Sequence, residues 1–162
     1  MTGSNPIIAA RSVREVFQPS IPVYPDQLAK MMGIVVEYVP LSRELCAVLL
    51  PEKHGNETHY MIVVNTRHPR ERQKFSVAHE LGHYWLHRGL EPAFMHQKNK
   101  RGWIEREANQ FAAELLMPAE DVKLAALFTD FNGLVQIFGV SKLAMQRRIE
   151  ELGISLKKGV IA

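Results

Sequence analysis

The chain has 162 residues, 46% hydrophobic and 23% charged, with one Cys and a formal charge of +3. These proportions exclude disordered, collagenous and disulfide-braced chains, and no apolar run approaches the roughly 20 residues that a membrane helix needs. A single core at this length removes about two-thirds of the unfolded surface from water, so one soluble domain should fold unaided and any metal site must serve a function.

The elements follow in chain order. Asn5-Pro6, with Ile7, Ile8, Val13, Val16 and Phe17, predicts a capped helix with an apolar face, ended by Gln18-Pro19-Ser20. A short helix is expected from Pro25 to Met32, with Leu28, Met31 and Met32 turned inward and Gly33 as its stop. Ile34–Val39, Leu45–Leu50 and Tyr60–Val64 read as strands, the last two as a hairpin joined by the polar stretch from Pro51 to Thr58. Helical spacing resumes at Pro69 and runs through Phe75, Val77, Ala78, Leu81 and Leu86 to Gly89. Residues 90–102 read as a loop, Ile104–Met117 as a helix stopped by Pro118, and the remainder as helices with a turn at Gly139. The class is therefore α+β.

Charge and cysteine bound the setting. Five of the basic and two of the acidic residues lie from Gly139 onward, so the rest of the chain carries 15 of each sign and the excess sits on the tail. That is weak for a nucleic-acid partner. Cys46 stands alone and the opening residues lack the pattern of a signal peptide, which suits a reducing cytoplasm.

The long helix contains His79-Glu80-Leu81-Gly82-His83, an HExxH arrangement. Residues four apart on a helix lie about 6 Å apart along its axis on nearly one face, so two imidazoles can converge on one ion. Glu80, turned by roughly 100° from His79, falls beside such an ion, where it can take a proton from a zinc-bound water. The surrounding helix is largely apolar, and half-buried histidines without partners are costly, so a metal explains the pattern better than a core pair does.

A catalytic zinc site needs a third protein ligand and an open position. His87 lies about 12 Å along the helix from His79, too far to share an ion, and is expected behind the ligands or at the surface. Gly89 occupies the position where a metzincin would carry its third histidine. Two candidates remain, Glu105 and Glu107. Glu105 lies nearer the face marked by Ile104, Ala108, Phe111, Ala112 and Leu115, and sits four residues before Asn109, whose amide could bond a liganding histidine. Glu105 is favoured and Glu107 held in reserve. A structural zinc would instead need four closed ligands, usually with Cys, and Cys46 is far from the motif.

The run from Val63 to Asn65, the stretch from Arg70 to His83 and the segment from Glu107 to Pro118 resemble the ImmA/IrrE family of small zinc metallopeptidases. The resemblance implies a compact gluzincin-like fold, with a small three-stranded sheet beside the HExxH helix and a helical C-terminal part. It also implies one Zn²⁺ per chain and regulated proteolysis of helix-turn-helix transcriptional repressors. Residues 1–120 are expected to form the metallopeptidase core and residues 121–162 a helical segment packed on it.

In the expected mechanism zinc is held by His79, His83 and Glu105, and Glu80 moves the proton from the attacking water to the leaving amine. Tyr84, His87, Tyr60 and His96 are candidates to steady the oxyanion, and the Tyr60–Val64 strand is expected to offer an edge to an extended peptide. Residues 134–149 resemble a helix-turn-helix unit, with Ser141 as N-cap and Lys142, Gln146 and Arg147 available to a groove. With so little positive charge, DNA contact is disfavoured against docking of a protein substrate. The alternative reading is a non-catalytic zinc regulator that binds a repressor or DNA through these helices.

Overall fold

The Asn5 side chain accepts hydrogen bonds from the main-chain N–H groups of Ile7 and Ile8, and with Pro6 in the first turn it opens helix α1 (Pro6–Phe17). The computed structural model describes residues 5–89 and 98–156. The face that α1 buries is Pro6, Ala10 and Val13, whereas Ile8 and Val16 of the expected apolar stripe are 62% and 72% exposed. Arg11 and Arg14 draw that face onto the rest of the chain through Glu114 and Asp121. Helix α2 (Pro25–Met31) likewise buries Leu28 and Ala29 while Met31 is exposed, because the chain turns away at Gly33, which takes φ of +74°.

Three strands follow: β1 (Val35–Val39), β2 (Ala47–His54) and β3 (Glu57–Asn65). β2 and β3 pair antiparallel from Ala47↔Val64 to His54↔Glu57, and β1 joins β3 in parallel, giving the order β1-β3-β2. The polar stretch expected to separate the hairpin strands is instead part of the hairpin. A two-residue Gly55-Asn56 turn, with Gly55 at φ of +65°, lets exposed polar residues pair as a ribbon beyond the core.

The order also overturns the expectation that Tyr60–Val64 presents a free edge. β3 is bonded on both sides, and β2 is the edge that faces the long helix. Pro51 lies within β2 and donates no main-chain hydrogen bond, a residue tolerated on an edge strand and not in a central one.

Helix α3 (Arg70–His87) carries the HExxH motif, and α4 (Lys98–Leu116) crosses it. The loop expected through Gly102 is helical from Lys98 onward. One glycine costs a helix about 1 kcal/mol, which the burial of Ile104, Ala108 and Phe111 outweighs. Where they cross, a Cβ on Gly82 would lie 3.0 Å from the Ala108 Cα and 3.2 Å from a Phe111 ring carbon, so glycine sets how near the two helices come.

Helices α5 (Ala119–Ala125), α6 (Phe131–Phe138) and α7 (Lys142–Leu152) close the fold. Leu134, Phe138 and Met145 join Leu81, Phe111 and Ile62 in one core, and Lys74 of α3 donates to the carbonyls of Phe138 and Gly139. Arg148, counted in sequence as part of the basic tail, is buried against Glu114 and the Met117 carbonyl. No helix among the described residues is long and apolar enough to cross a membrane.

Candidate metal centre

On α3 the four-residue spacing turns His79 and His83 to one face, and α4 brings Glu105 over them. Their ligand atoms converge: Nε2 of His79 and Nε2 of His83 are 3.0 Å apart, and the Glu105 carboxylate lies 3.2 Å from the first and 3.6 Å from the second. Four ligands about 2.1 Å from a tetrahedral zinc stand about 3.4 Å from one another, so these separations fit one ion. The donor chemistry fits too, since two imidazoles and a carboxylate are a hydrolytic zinc set with room for a water.

The ring nitrogens turned away from the cluster also have protein partners. His79 Nδ1 is 2.9 Å from the Asn109 side-chain oxygen, and His83 Nδ1 is 3.0 Å from Nδ1 of His87. His87, only 2% exposed, is in turn held by Glu107 at 3.0 Å and lies edge-on to Trp103. The two glutamates thus separate: Glu105 meets the paired imidazoles, and Glu107 meets the histidine behind them.

Burial works against protonation of His79, yet Glu105, Glu80 and Asn109 together hold its pKa above the ordinary imidazole value. Burial and the charge of His79 push His83 down to about 4. One imidazole therefore takes a proton readily and the other resists it, as expected when two rings share a single cation position. Glu80 is buried beside them, and desolvation, with repulsion from Glu105, raises it to about 7 against the pull of His79 and of a hydrogen bond from the Leu49 main-chain N–H. A carboxyl poised there can take up or hold a proton near neutral pH.

The chain matches, over residues 29–150, the family Peptidase_M78, described as the IrrE N-terminal-like domain. It belongs to that family. No curated protein matches it. Membership of Peptidase_M78, together with the His79/His83/Glu105 cluster, supports a zinc-dependent peptidase, and the chain is a metal-dependent hydrolase.

The cleft of this Peptidase_M78 chain has a volume of about 820 Å³ and is lined by His79, Glu80, His83 and Glu105 together with Leu45, Cys46 and the β2 residues Ala47, Val48 and Leu49. Of the oxyanion candidates, Tyr60 and His87 line it, while Tyr84 packs edge-on against Tyr60 and carries the Arg88 guanidinium 4.6 Å above its ring. His87 is engaged between His83 and Glu107, and His96 lies outside the described residues. Lys142, Gln146 and Arg147 are exposed on α7, with Gln146 bonded to Glu150.

Three features escaped the sequence reading. Arg88 and Lys53 line the cleft as cations, which nothing in their local sequence announces. The Leu49 N–H at Glu80 is a main-chain group and has no residue signature. Asn65, fully buried, accepts from the N–H groups of Leu41 and Arg67 and donates to the carbonyls of Ser42 and Leu45, so it pins the loop that forms the cleft's rim. An asparagine closing an apolar strand was its available signal.

Proposed function

We propose that this chain is a zinc endopeptidase that cleaves a protein substrate, a helix-turn-helix transcriptional repressor. The observation that carries the zinc site is the convergence of His79, His83 and Glu105 at separations of 3.0 to 3.6 Å beside a buried Glu80. His79, His83 and Glu105 would hold one Zn²⁺. Bound there, the ion would polarise a scissile carbonyl and lower the pKa of its water to about 7.

The chain's own groups do the rest. Glu80 takes the proton from the attacking water and later delivers it to the leaving amine. The Leu49 N–H keeps the Glu80 carboxylate turned toward the cleft. An extended peptide pairs with the free edge of β2 across the cleft, where main-chain hydrogen bonds hold it independently of its sequence. Tyr60 stands in the cleft wall to steady charge on the carbonyl oxygen.

The repressor reading rests on the ImmA/IrrE resemblance and on the open cleft, which admits a strand of a protein partner. A DNA-binding role is weaker: Arg148 is spent on Glu114 inside the protein, which leaves Lys142 and Arg147 as the exposed cations of α7. Residues 1–120 would serve as the peptidase core, with the helices α6 and α7 that follow packed on it. Metal analysis of the purified chain should return one zinc per molecule. Glu80→Gln should keep that zinc and lose about 10²- to 10⁴-fold in cleavage of a helix-turn-helix repressor that the wild type cleaves. Undiminished cleavage by Glu80→Gln would overturn the mechanism, and zinc-free wild type would overturn the site.

A further inference from the structure

Behind the cluster runs a chain of polar groups: the Glu107 carboxylate, both nitrogens of His87, and Nδ1 of His83. An ionised carboxylate only accepts, so the His87 Nε2 at 3.0 Å from Glu107 Oε2 carries the hydrogen. Neutral imidazole has one N–H, which leaves His87 Nδ1 a bare lone pair. The His83 Nδ1 that faces it at 3.0 Å must then be the donor, and His83 Nε2 is left unprotonated, aimed at His79 and Glu105. On the other ring the Asn109 oxygen accepts from His79 Nδ1, with the same result for His79 Nε2.

From this geometry we infer that Glu107 and His87 are positioning residues that lock His83 in the tautomer able to bind a metal through Nε2. The inference rests on the zinc reading above. The pair is dry enough to be selective: His87 and Glu107 side chains are 2% and 12% exposed, and Trp103 lies against the ring. Water is poorly placed to replace a missing partner, so breaking the relay leaves a buried His83 N–H unsatisfied or lets the ring adopt the tautomer that blocks its Nε2. Glu105 and Glu107 flank the stripe of α4 that packs on α3, about 200° apart around the helix. One carboxylate therefore reaches the paired imidazoles and the other the ring behind, which explains two glutamates so close in sequence with different partners.

The test uses the full chain. Two-bond proton–nitrogen spectra of the ¹⁵N-histidine-labelled, zinc-loaded wild type should show Nδ1–H on His79 and His83 and Nε2–H on His87. Chelator competition should show zinc bound about 10- to 100-fold more weakly by Glu107→Ala and by His87→Phe, which keeps an aromatic ring, somewhat larger, without an acceptor. Glu107→Gln, whose amide oxygen can still accept, should recover most of the affinity. A merely structural role would lower the melting temperature of these variants and leave zinc affinity within twofold of wild type. That result, or an Nδ1–H on His87 in wild type, overturns the inference while the zinc site stands. A wild type that takes up no zinc removes both.

Discussion

Two side chains near the cleft show how much one residue can decide. Asn65 makes four hydrogen bonds while fully buried, and each is worth about 1 kcal/mol net when its partners are otherwise dry. Asn65→Ala is expected to cost about 3 to 4 kcal/mol and to free the rim formed by Glu44 and Leu45. Denaturant unfolding measures the first effect, and hydrogen exchange at Leu45 and Cys46 the second. At Glu80 the relevant quantity is the cost of burying a carboxylate, which the Leu49 N–H and His79 offset in part. HExxH spacing predicts that Glu80 stands beside the histidines. Its desolvation depends on β2 lying across it and cannot be read from five letters.

Between elements, the crossing of α3 and α4 does most to shape the centre. Gly82 sits under Ala108 and Phe111, where a Cβ would fit only if a neighbour gave by a few tenths of an ångström, and the same crossing holds Glu105 against His79 and His83. Gly82→Ala should therefore act twice. Overpacking is expected to destabilise the fold by about 1 to 3 kcal/mol, and the displaced α4 should carry Glu105 away and weaken zinc binding. Calorimetry with zinc titration separates the two effects; unchanged affinity in a destabilised variant would show that α4 yields elsewhere. Strand order is the other decision at this scale. Three strands are legible from their β-branched runs, but which is central depends on β1 pairing with β3, whose partners such as Val35 and Met61 are distant in the chain. Pro51 was the sequence's own hint that β2 is an edge.

For the molecule as a whole, metal and fold are expected to be separable. Leu81, Phe111, Leu115, Phe138 and Met145 are all within 1% of complete burial and lie in one apolar core. Chelation is expected to leave far-UV circular dichroism and cooperative unfolding intact. The melting temperature should fall by no more than binding linkage predicts, about 4 kcal/mol of stability at a free-zinc level 1,000 times Kd. Loss of cooperative unfolding on chelation would mean that the ion holds the fold. Charge also looks different at this scale. Arg148 lies inside against Glu114, so the tail's basic surplus is smaller in space than in the sequence.

The sequence by itself determined the features that are local: the caps at Asn5 and Ser141, the helical face shared by His79 and His83, and the α+β alternation of apolar periods. Each depends on residues within a turn or two, whose geometry the backbone dictates. Only the tertiary structure decided that Glu105 meets the imidazoles and Glu107 the ring of His87, that β2 faces the cleft, and that α4 begins at Lys98. Those outcomes follow from helix crossing and strand order, where packing between distant segments outweighs the small preferences of the residues themselves.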